Sequence, residues 1–342
     1  MLSVTLMAGE QAPEWDAYVD ANPDASGYHH WVWKDVIEGC FGHQTRYLAA
    51  MRDGAVCGVL PLCILNSRLF GHFAVSLPFV NYGGVLADDA EAEQALLDRA
   101  ISLMQGEGAS HLELRMTRPL SADWLTKTNK VGLYLDLPTD PAQLWDGFKS
   151  KLRSQIRRPQ REGMGVRFGG AELLDDFYRV FSRNMRDLGT PVYQKSLFAT
   201  ILQQVPDSHI VVVDYQGHAV GAGFLIGYKG RLEIPWASTI RDYNRLSPNM
   251  LLYWSVLQWA CQNGYSEFDF GRSTEGAGTY RFKRQWGAEP RPFYWGYWLA
   301  EGRDLPEINP ANPKYRLPIL IWQRLPLCVA ERVGPVIVRN LP

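Results

Sequence analysis

The 342-residue sequence predicts a mixed α/β chain whose two halves follow one plan. Three observations predict it. The order hairpin, strand, helix, strand occurs twice. In each half a glycine follows the turn glycine by four residues, Gly54 to Gly58 and Gly217 to Gly221. Each half also closes on a short strand that ends in arginine, Arg115 and Arg272. Identity between the halves is weak, so the repeat rests on order and spacing.

Residues 31–42, "WVWKDVIEGCFG", read as a short helix that stops at glycine. Two apolar runs flanking Asp53-Gly54 make 45–65 a hairpin, since that dipeptide favours a two-residue turn. Apolar residues at helical spacing make 91–108 a helix closed by glycines, and "HLELR" (111–115) is an alternating strand. The second half repeats this with a hairpin at 209–227 turning at Gln216-Gly217, a strand at 231–238, a helix at 247–265 and a strand at 267–272. Ser247 is the expected N-cap of that helix, with Pro248 at its first position. Between the halves, 144–163 reads as one basic helix. Leu144, Trp145, Phe148, Leu152 and Ile156 form its apolar stripe, and Pro159 is expected to bend or end it. A polar helix over 173–191 follows. The expected domains are 1–139, 140–300 with the basic helix, and a C-terminal arm over 301–342.

Lysine and arginine number 35 against 36 acidic residues, giving a net charge of −1. That excludes a general nucleic-acid coat and argues against DNA as a partner, while leaving room for a local basic patch. The five cysteines have neither zinc-ligand nor C-x-x-C spacing, which fits reduced thiols. The N-terminus lacks the pattern of a signal peptide, and no apolar run is long enough to span a bilayer. The expected location is cytoplasmic. For the tail, 317–342, two readings stand: an arm across the body, or a peripheral contact with a membrane beside anionic lipid. The weak periodicity of its arginines favours the arm.

Chemistry concentrates after the last strand of the second half, in "FDFGRSTEGAGTYRFKRQWG" (268–287). Lys283 beside tryptophan and glycine suits a phosphate or the oxyanion of acyl transfer. Arg272 and Arg284 add cations, with Arg272 at a strand end, where open α/β sheets place ligands. Asp269, Glu267 and Glu233 are candidate general bases, of which Asp269 is the first choice. Tyr280, Trp236 and Trp286 can wall a cleft and stack on a sugar or a base. Arg153 and Arg157 lie one turn apart on the basic helix and can meet a phosphate-bearing ligand. Asn81 in "NYGG" occupies the matching strand end of the first half. No metal-ligand cluster is visible, and no Ser-His-Asp or Cys-His set suggests a covalent intermediate.

A hairpin followed by a strand–helix–strand unit fits the core of a GNAT-type acyltransferase. Two copies joined by a basic helix, with "KLRSQIRRPQREG" (151–163), "FSRNMRDLGTPVY" (181–193), "EIPWASTIRDYNRLSPNMLLYW" (233–254) and 268–290, resemble the FemAB-like transferases. Within these, the chain looks similar to the group associated with exosortase/PEP-CTERM exopolysaccharide systems. The resemblance implies tandem GNAT-like domains of α/β (α+β) class facing across a cleft, and transfer of an aminoacyl group from charged tRNA to an amine of an envelope precursor. It implies that Lys283, in the "FK" stretch, lies near the acceptor. One departure concerns the donor. The glycine-rich loop that holds the pyrophosphate of CoA in GNAT enzymes is matched here by "RDYNRLSPN" (241–249), which contains no glycine. Arg241, Arg245 and Asn249 remain as side-chain ligands, so the donor is either an aminoacyl-tRNA or an acyl-CoA.

Overall fold

The computed structural model describes residues 1–67, 70–120, 124–306 and 313–341. The first half gives β1 (Leu2–Leu6), α1 (Ala12–Ala21), α2 (Val32–Phe41), β2 (Gln44–Arg52), β3 (Ala55–Ser67), β4 (Gly71–Val75), β5 (Leu86–Ala87), α3 (Ala90–Gly106), β6 (His111–Met116) and β7 (Leu125–Lys127). The second gives β8 (Val131–Asp136), α4 (Pro141–Gly147), α5 (Ser150–Arg161), β9 (Gly165–Gly169), α6 (Leu174–Leu188), α7 (Lys195–Gln204), β10 (Ser208–Tyr215) and β11 (His218–Tyr228). It continues with β12 (Arg231–Thr239), α8 (Pro248–Gln262), β13 (Glu267–Ser273), α9 (Gly278–Arg284), β14 (Glu289–Pro292), β15 (Tyr294–Leu299), α10 (Pro313–Trp322) and α11 (Leu327–Val338).

Among the described residues these strands form two sheets. The first runs β1-β2-β3-β4-β6-β15-β7, with β5 beside β3, and the second runs β14-β8-β13-β12-β11-β10-β9. In each, a parallel pair sits inside an antiparallel frame: β4 with β6, and β12 with β13. The strand beyond each parallel pair falls on the far side of an expected boundary, because β15, before 300, lies between β6 and β7 while β8, before 139, lies between β13 and β14. The chain accordingly divides into two compact units, Met1–Lys130 with Pro292–Glu307 and Arg339–Pro342, and Val131–Arg291 with Ile308–Val338. Linear boundaries at 139 and 300 miss this exchange, since neither short strand carries a mark of its destination.

The hairpins form as expected. Both turns take left-handed backbone at two successive residues, Asp53-Gly54 (φ 52°, 86°) and Gln216-Gly217 (φ 51°, 77°), which suits the twist of the flanking strands. The glycine four residues on marks a bulge in each. Gly58 pairs Ala50 before the register slips, and Gly221 pairs Val213 before the equivalent slip. Helix α3 lays Leu96, Leu97, Ala100 and Met104 on Leu48, Leu60, Leu62 and Leu112 to make the core of the first unit. The core of the second gathers Val211, Val213, Leu232 and Phe268 under Leu252, Val256, Leu257 and Ala260 of α8. Helix α8 is apolar on most sides, as a helix enclosed by its unit must be.

Three local expectations change. The basic helix is two helices, because Phe148 takes extended backbone (ψ 140°) and inserts its ring edge-on against Trp254 and Trp286. Pro159 does not end α5, which runs on to Arg161 with the proline ring buried. The missing N–H costs α5 one helical hydrogen bond, and the last two residues continue past it. Ser247 holds the N-cap position but in left-handed backbone (φ 60°) and with no side-chain cap.

The exchange makes a prediction. A chain truncated after Lys130 lacks β15 and leaves β6 without its neighbour. It is expected to show no cooperative unfolding in urea followed by circular dichroism. A sharp, native-like transition from that fragment would show that β15 is dispensable.

Candidate active site

In the second sheet the parallel strands β12 and β13 stay in register for three pairs, Arg231–Glu267, Leu232–Phe268 and Glu233–Asp269. Beyond the last pair β12 continues against β11 and β13 against β8. Both strands bulge there. Ile234 and Pro235 together oppose Leu225 between the Glu233–Ile226 and Trp236–Phe224 pairs. Phe270 and Gly271 together oppose Leu133 between the Asp269–Tyr134 and Arg272–Gly132 pairs. Proline is tolerated at such a bulge because the ladder has already been interrupted. Gly271 has φ 74°, a left-handed conformation that a side chain disfavours.

Register therefore places Tyr134, Asp269 and Glu233 in one row across three strands. All three are more than nine-tenths buried, and so is Lys283, which enters from α9. The Asp269 Oδ1 accepts a hydrogen bond from the Gly271 N–H at 2.7 Å. Lys283 Nζ donates to the Gly271 and Arg272 carbonyls at 3.0 and 2.9 Å. It thus caps carbonyls in and beside the bulge. Burial pulls the Lys283 pKa down to about 8 against the opposing pull of Asp269 and Glu233. Burial, then the Asp269 carboxylate, hold the Tyr134 phenol well above its ordinary range. Arg231 and Arg291 cover the Tyr134 ring, with guanidinium carbons 5.3 and 4.4 Å from its centre, and both pair with Glu267.

The first unit holds the same row without the bulge. Glu113, register-equivalent to Asp269, accepts from Tyr297 Oη at 2.9 Å and pairs with Arg115 at 2.7 Å. Arg115 is buried, stacks 4.7 Å over Trp295 and donates to the Val80 carbonyl. That arrangement neutralises one carboxylate with one guanidinium. In the second unit the bulge intervenes before the equivalent Arg272, which is exposed, and the charges of two carboxylates, Asp269 and Glu233, act on Lys283.

The remaining expected site residues divide as follows. Arg272 is exposed, gives its carbonyl to Lys283, and its guanidinium charge adds to the lowering of the Lys283 pKa. Arg284 is spent on the Ala288 carbonyl at 2.7 Å, closing the turn after α9. Tyr280 is half-buried against the core, and Trp286 is buried in it. Trp236 is half-buried and set edge-on to Phe198 and Phe224, so its ring is mainly structural packing. Arg245 is exposed on a 3-10 turn, Arg241–Leu246, and Asn249 is half-buried in the first turn of α8. Arg153 is half-buried, and the exposed Arg157 stacks 5.1 Å over Trp145. A depression of about 360 Å³ is lined by Ser154, Arg157, Gln160 and Arg161. Asn81 is half-buried in the first unit. The glycines beside it are set by close packing, since a Cβ on Gly84 would lie 2.2 Å from Met116 Sδ and 3.1 Å from the Arg115 carbonyl. The segment 268–287 is thus a strand with a bulge and a seven-residue helix. Sequence reading missed Tyr134, whose strand precedes the half it completes. Among the described residues no group of three His, Cys, Asp or Glu is placed to hold a metal ion.

Two outcomes follow from this geometry. Gly271→Ala forces a side chain into left-handed backbone and is expected to cost about 1 kcal/mol of stability or more in urea unfolding. For Lys283, the unfolded chain keeps its proton up to about 10.5 while the folded chain releases it near 8. Stability from this group therefore rises with pH across that window. The unfolding free energy of wild type relative to Lys283→Met should climb by up to about 3 kcal/mol between pH 7 and 10. A gap that stays flat with pH would mean the ammonium is not penalised by burial.

Against this geometry, residues 147–284 match the family described as the acetyltransferase (GNAT) domain. A comparison with curated proteins finds no match. Among solved structures, FemX is similar over 92% of this chain and 99% of its own, at 15% identity and a TM-score of 0.66. L-PGS from Bacillus licheniformis is similar over 94% of this chain and 97% of its own, at 14% identity and a TM-score of 0.58. A tandem GNAT protein from the clavulanic acid biosynthesis pathway is similar over 90% of this chain and all of its own, at 14% identity and a TM-score of 0.57. At such identities the structural likenesses concern the fold, which is that of tandem GNAT-like units, and it is residues 147–284 that match an acyltransferase family, the acetyltransferase (GNAT) domain.

Proposed function

We propose that the chain transfers an acyl or aminoacyl group to an amine on a saccharide-linked cell-envelope or exopolysaccharide precursor. The observation that carries the transfer chemistry is the buried group of Glu233, Asp269, Tyr134 and Lys283 at the point where β12 and β13 part. Two carboxylates against one ammonium leave one carboxylate able to take a proton. Asp269 holds the bulge of β13 through the Gly271 N–H, and Glu233, beside the bulge of β12, is assigned the role of base. The acceptor amine attacks the donor carbonyl, its proton passes to Glu233, the new C–N bond forms, and the C–O or C–S bond to the leaving group breaks. The leaving oxygen or sulfur then takes up the proton. Lys283 holds the positive charge that offsets the developing oxyanion. The saccharide-linked acceptor rests on the sequence resemblance to FemAB-like transferases.

Aminoacyl-tRNA is the preferred donor because the turn before α8 offers few free backbone donors. Tyr243, Ser247 and Met250 give their N–H groups to Ile240, Asn244 and Ser247, and exposed arginines, Arg241 and Arg245, flank them. Arg153 and Arg157 on α5 add cations for a polyanion. An acyl-CoA is the second reading, favoured by the match to the acetyltransferase (GNAT) domain family.

In assays of the purified chain, Glu233→Gln is expected to lower kcat by about 10²- to 10⁴-fold with little change in KM. Wild-type turnover from that variant would remove Glu233 from the reaction. Thermal shift with charged tRNA and with acyl-CoAs separates the donors, and a shift with acyl-CoA alone would overturn the preferred one. Mass spectrometry of the envelope polymer with and without the protein identifies the acceptor.

A further inference from the structure

Helices α10 and α11 have two unlike faces. The inner face is seated on α6 and the chain after it. Trp322 is buried and donates its indole N–H to the Thr190 carbonyl at 3.0 Å. Gln323 donates to the Asp187 carbonyl, and Arg186 donates to that of Leu325. Gly334 lies so close to Val192 that a Cβ there would come within 2.6 Å of its backbone. Ser182 donates to Glu331 at 2.7 Å.

The outer face is aliphatic. Leu317, Leu320 and Ile321 are exposed at steps of three and one on α10, and Val329, Val333 and Val336 at steps of four and three on α11. Leu317 and Val336 are 65% and 64% exposed, and Leu188 at the end of α6 is 61% exposed. Arg316, Arg324 and Arg332 are exposed among them. Glu331, the one acidic residue of 316–338, is engaged by Ser182. Exposed aliphatic side chains therefore alternate with cations and with no exposed carboxylate. Neither helix is long and apolar enough to cross a membrane.

We propose that the outer face of α10 and α11 docks this protein on an anionic phospholipid surface, with the aliphatic side chains entering the acyl boundary and the arginines meeting lipid phosphates. Aliphatic insertion flanked by cations is the pattern of an interfacial helix. A second copy of the chain fits less well, because a two-fold contact would set this cationic face against itself. The proposal stands whether or not the acyl acceptor is the one given above. It replaces the arm reading of the tail with an arm that has a second, outward-facing task.

The test is co-sedimentation of the full chain with vesicles of phosphatidylcholine alone or mixed with phosphatidylglycerol. Wild type is expected to bind the mixed vesicles, to bind phosphatidylcholine far less, and to weaken as salt rises. The combined Leu320→Asp, Ile321→Asp and Val333→Asp variant changes exposed positions only, and an unchanged thermal transition confirms its fold. It should lose binding by about tenfold or more, and Arg324→Glu with Arg332→Glu should lose the preference for phosphatidylglycerol. Equal sedimentation of wild type and the aspartate variant would overturn the proposal. So would a dimer in analytical ultracentrifugation that the aspartate variant dissolves.

Discussion

One extra residue in β13 governs the second unit. Between Asp269 and Arg272 the strand gains a residue on its neighbour β8, so that Arg272 stands opposite Gly132 as Arg115 stands opposite Trp295 in the first unit. At this bulge the carbonyls of Gly271 and Arg272 are available to Lys283. The bulge in turn depends on Gly271, because the left-handed backbone it takes is costly for any residue with a Cβ. Asp269 secures the same glycine through its N–H. A carboxylate, a glycine and a lysine thus meet at the bulge, Asp269 on the Gly271 N–H and Lys283 on the Gly271 carbonyl.

The two halves make a natural comparison of what such a device changes. The row of tyrosine and carboxylate beyond the parallel pair is present in both, Tyr297 with Glu113 and Tyr134 with Asp269. In the first unit an in-register arginine closes the row with a bidentate-capable, permanently charged group, and the charge count is balanced. In the second the cation is a lysine whose charge is weakened by burial, and Glu233 adds a second carboxylate from the adjoining strand. A balanced ion pair holds a fold together but has no reason to exchange a proton. An unbalanced buried cluster with a lysine near pH 8 does have one. The same frame thus holds a balanced ion pair in one unit and an unbalanced buried cluster in the other.

What the sequence disclosed follows from the range of the forces involved. The hairpins at Asp53-Gly54 and Gln216-Gly217, the helices α3 and α8 and the strand ends are local events, and turn residues and periodicity report them directly. The recurrence of a glycine four residues past each turn was also legible, and it marks a bulge in both halves. Lys283 and Asp269 stood out by composition, and so did Arg272, which is exposed where they are buried. The exchange of β8 and β15 was hidden, because a six-residue alternating strand is the same on either sheet. The break at Phe148 was hidden too, since its apolar stripe continues at helical spacing and only packing against Trp254 and Trp286 shows the chain has turned. Tyr134 was missed for a third reason: it reaches the cluster by strand pairing across more than a hundred residues of chain.

The entry to α8 differs from a glycine-rich phosphate loop in what it offers a ligand. A glycine-rich loop leaves several backbone N–H groups pointing into one concavity, and a phosphate then needs no side chain. Here the loop is wound into a 3-10 turn that uses its own N–H groups, and its last residue, Ser247, takes left-handed backbone without glycine's freedom. Any phosphate arriving at this end of the helix meets side chains first. Guanidinium groups recognise phosphate oxygens in pairs and from a range of directions, so they tolerate phosphates that are spread along a backbone better than a loop shaped around one pyrophosphate does. The absence of glycines and the presence of arginines therefore go together: where a glycine-rich loop offers a fixed backbone cradle, this turn offers adaptable side-chain forks, on a unit in which β12 and β13 part as described above.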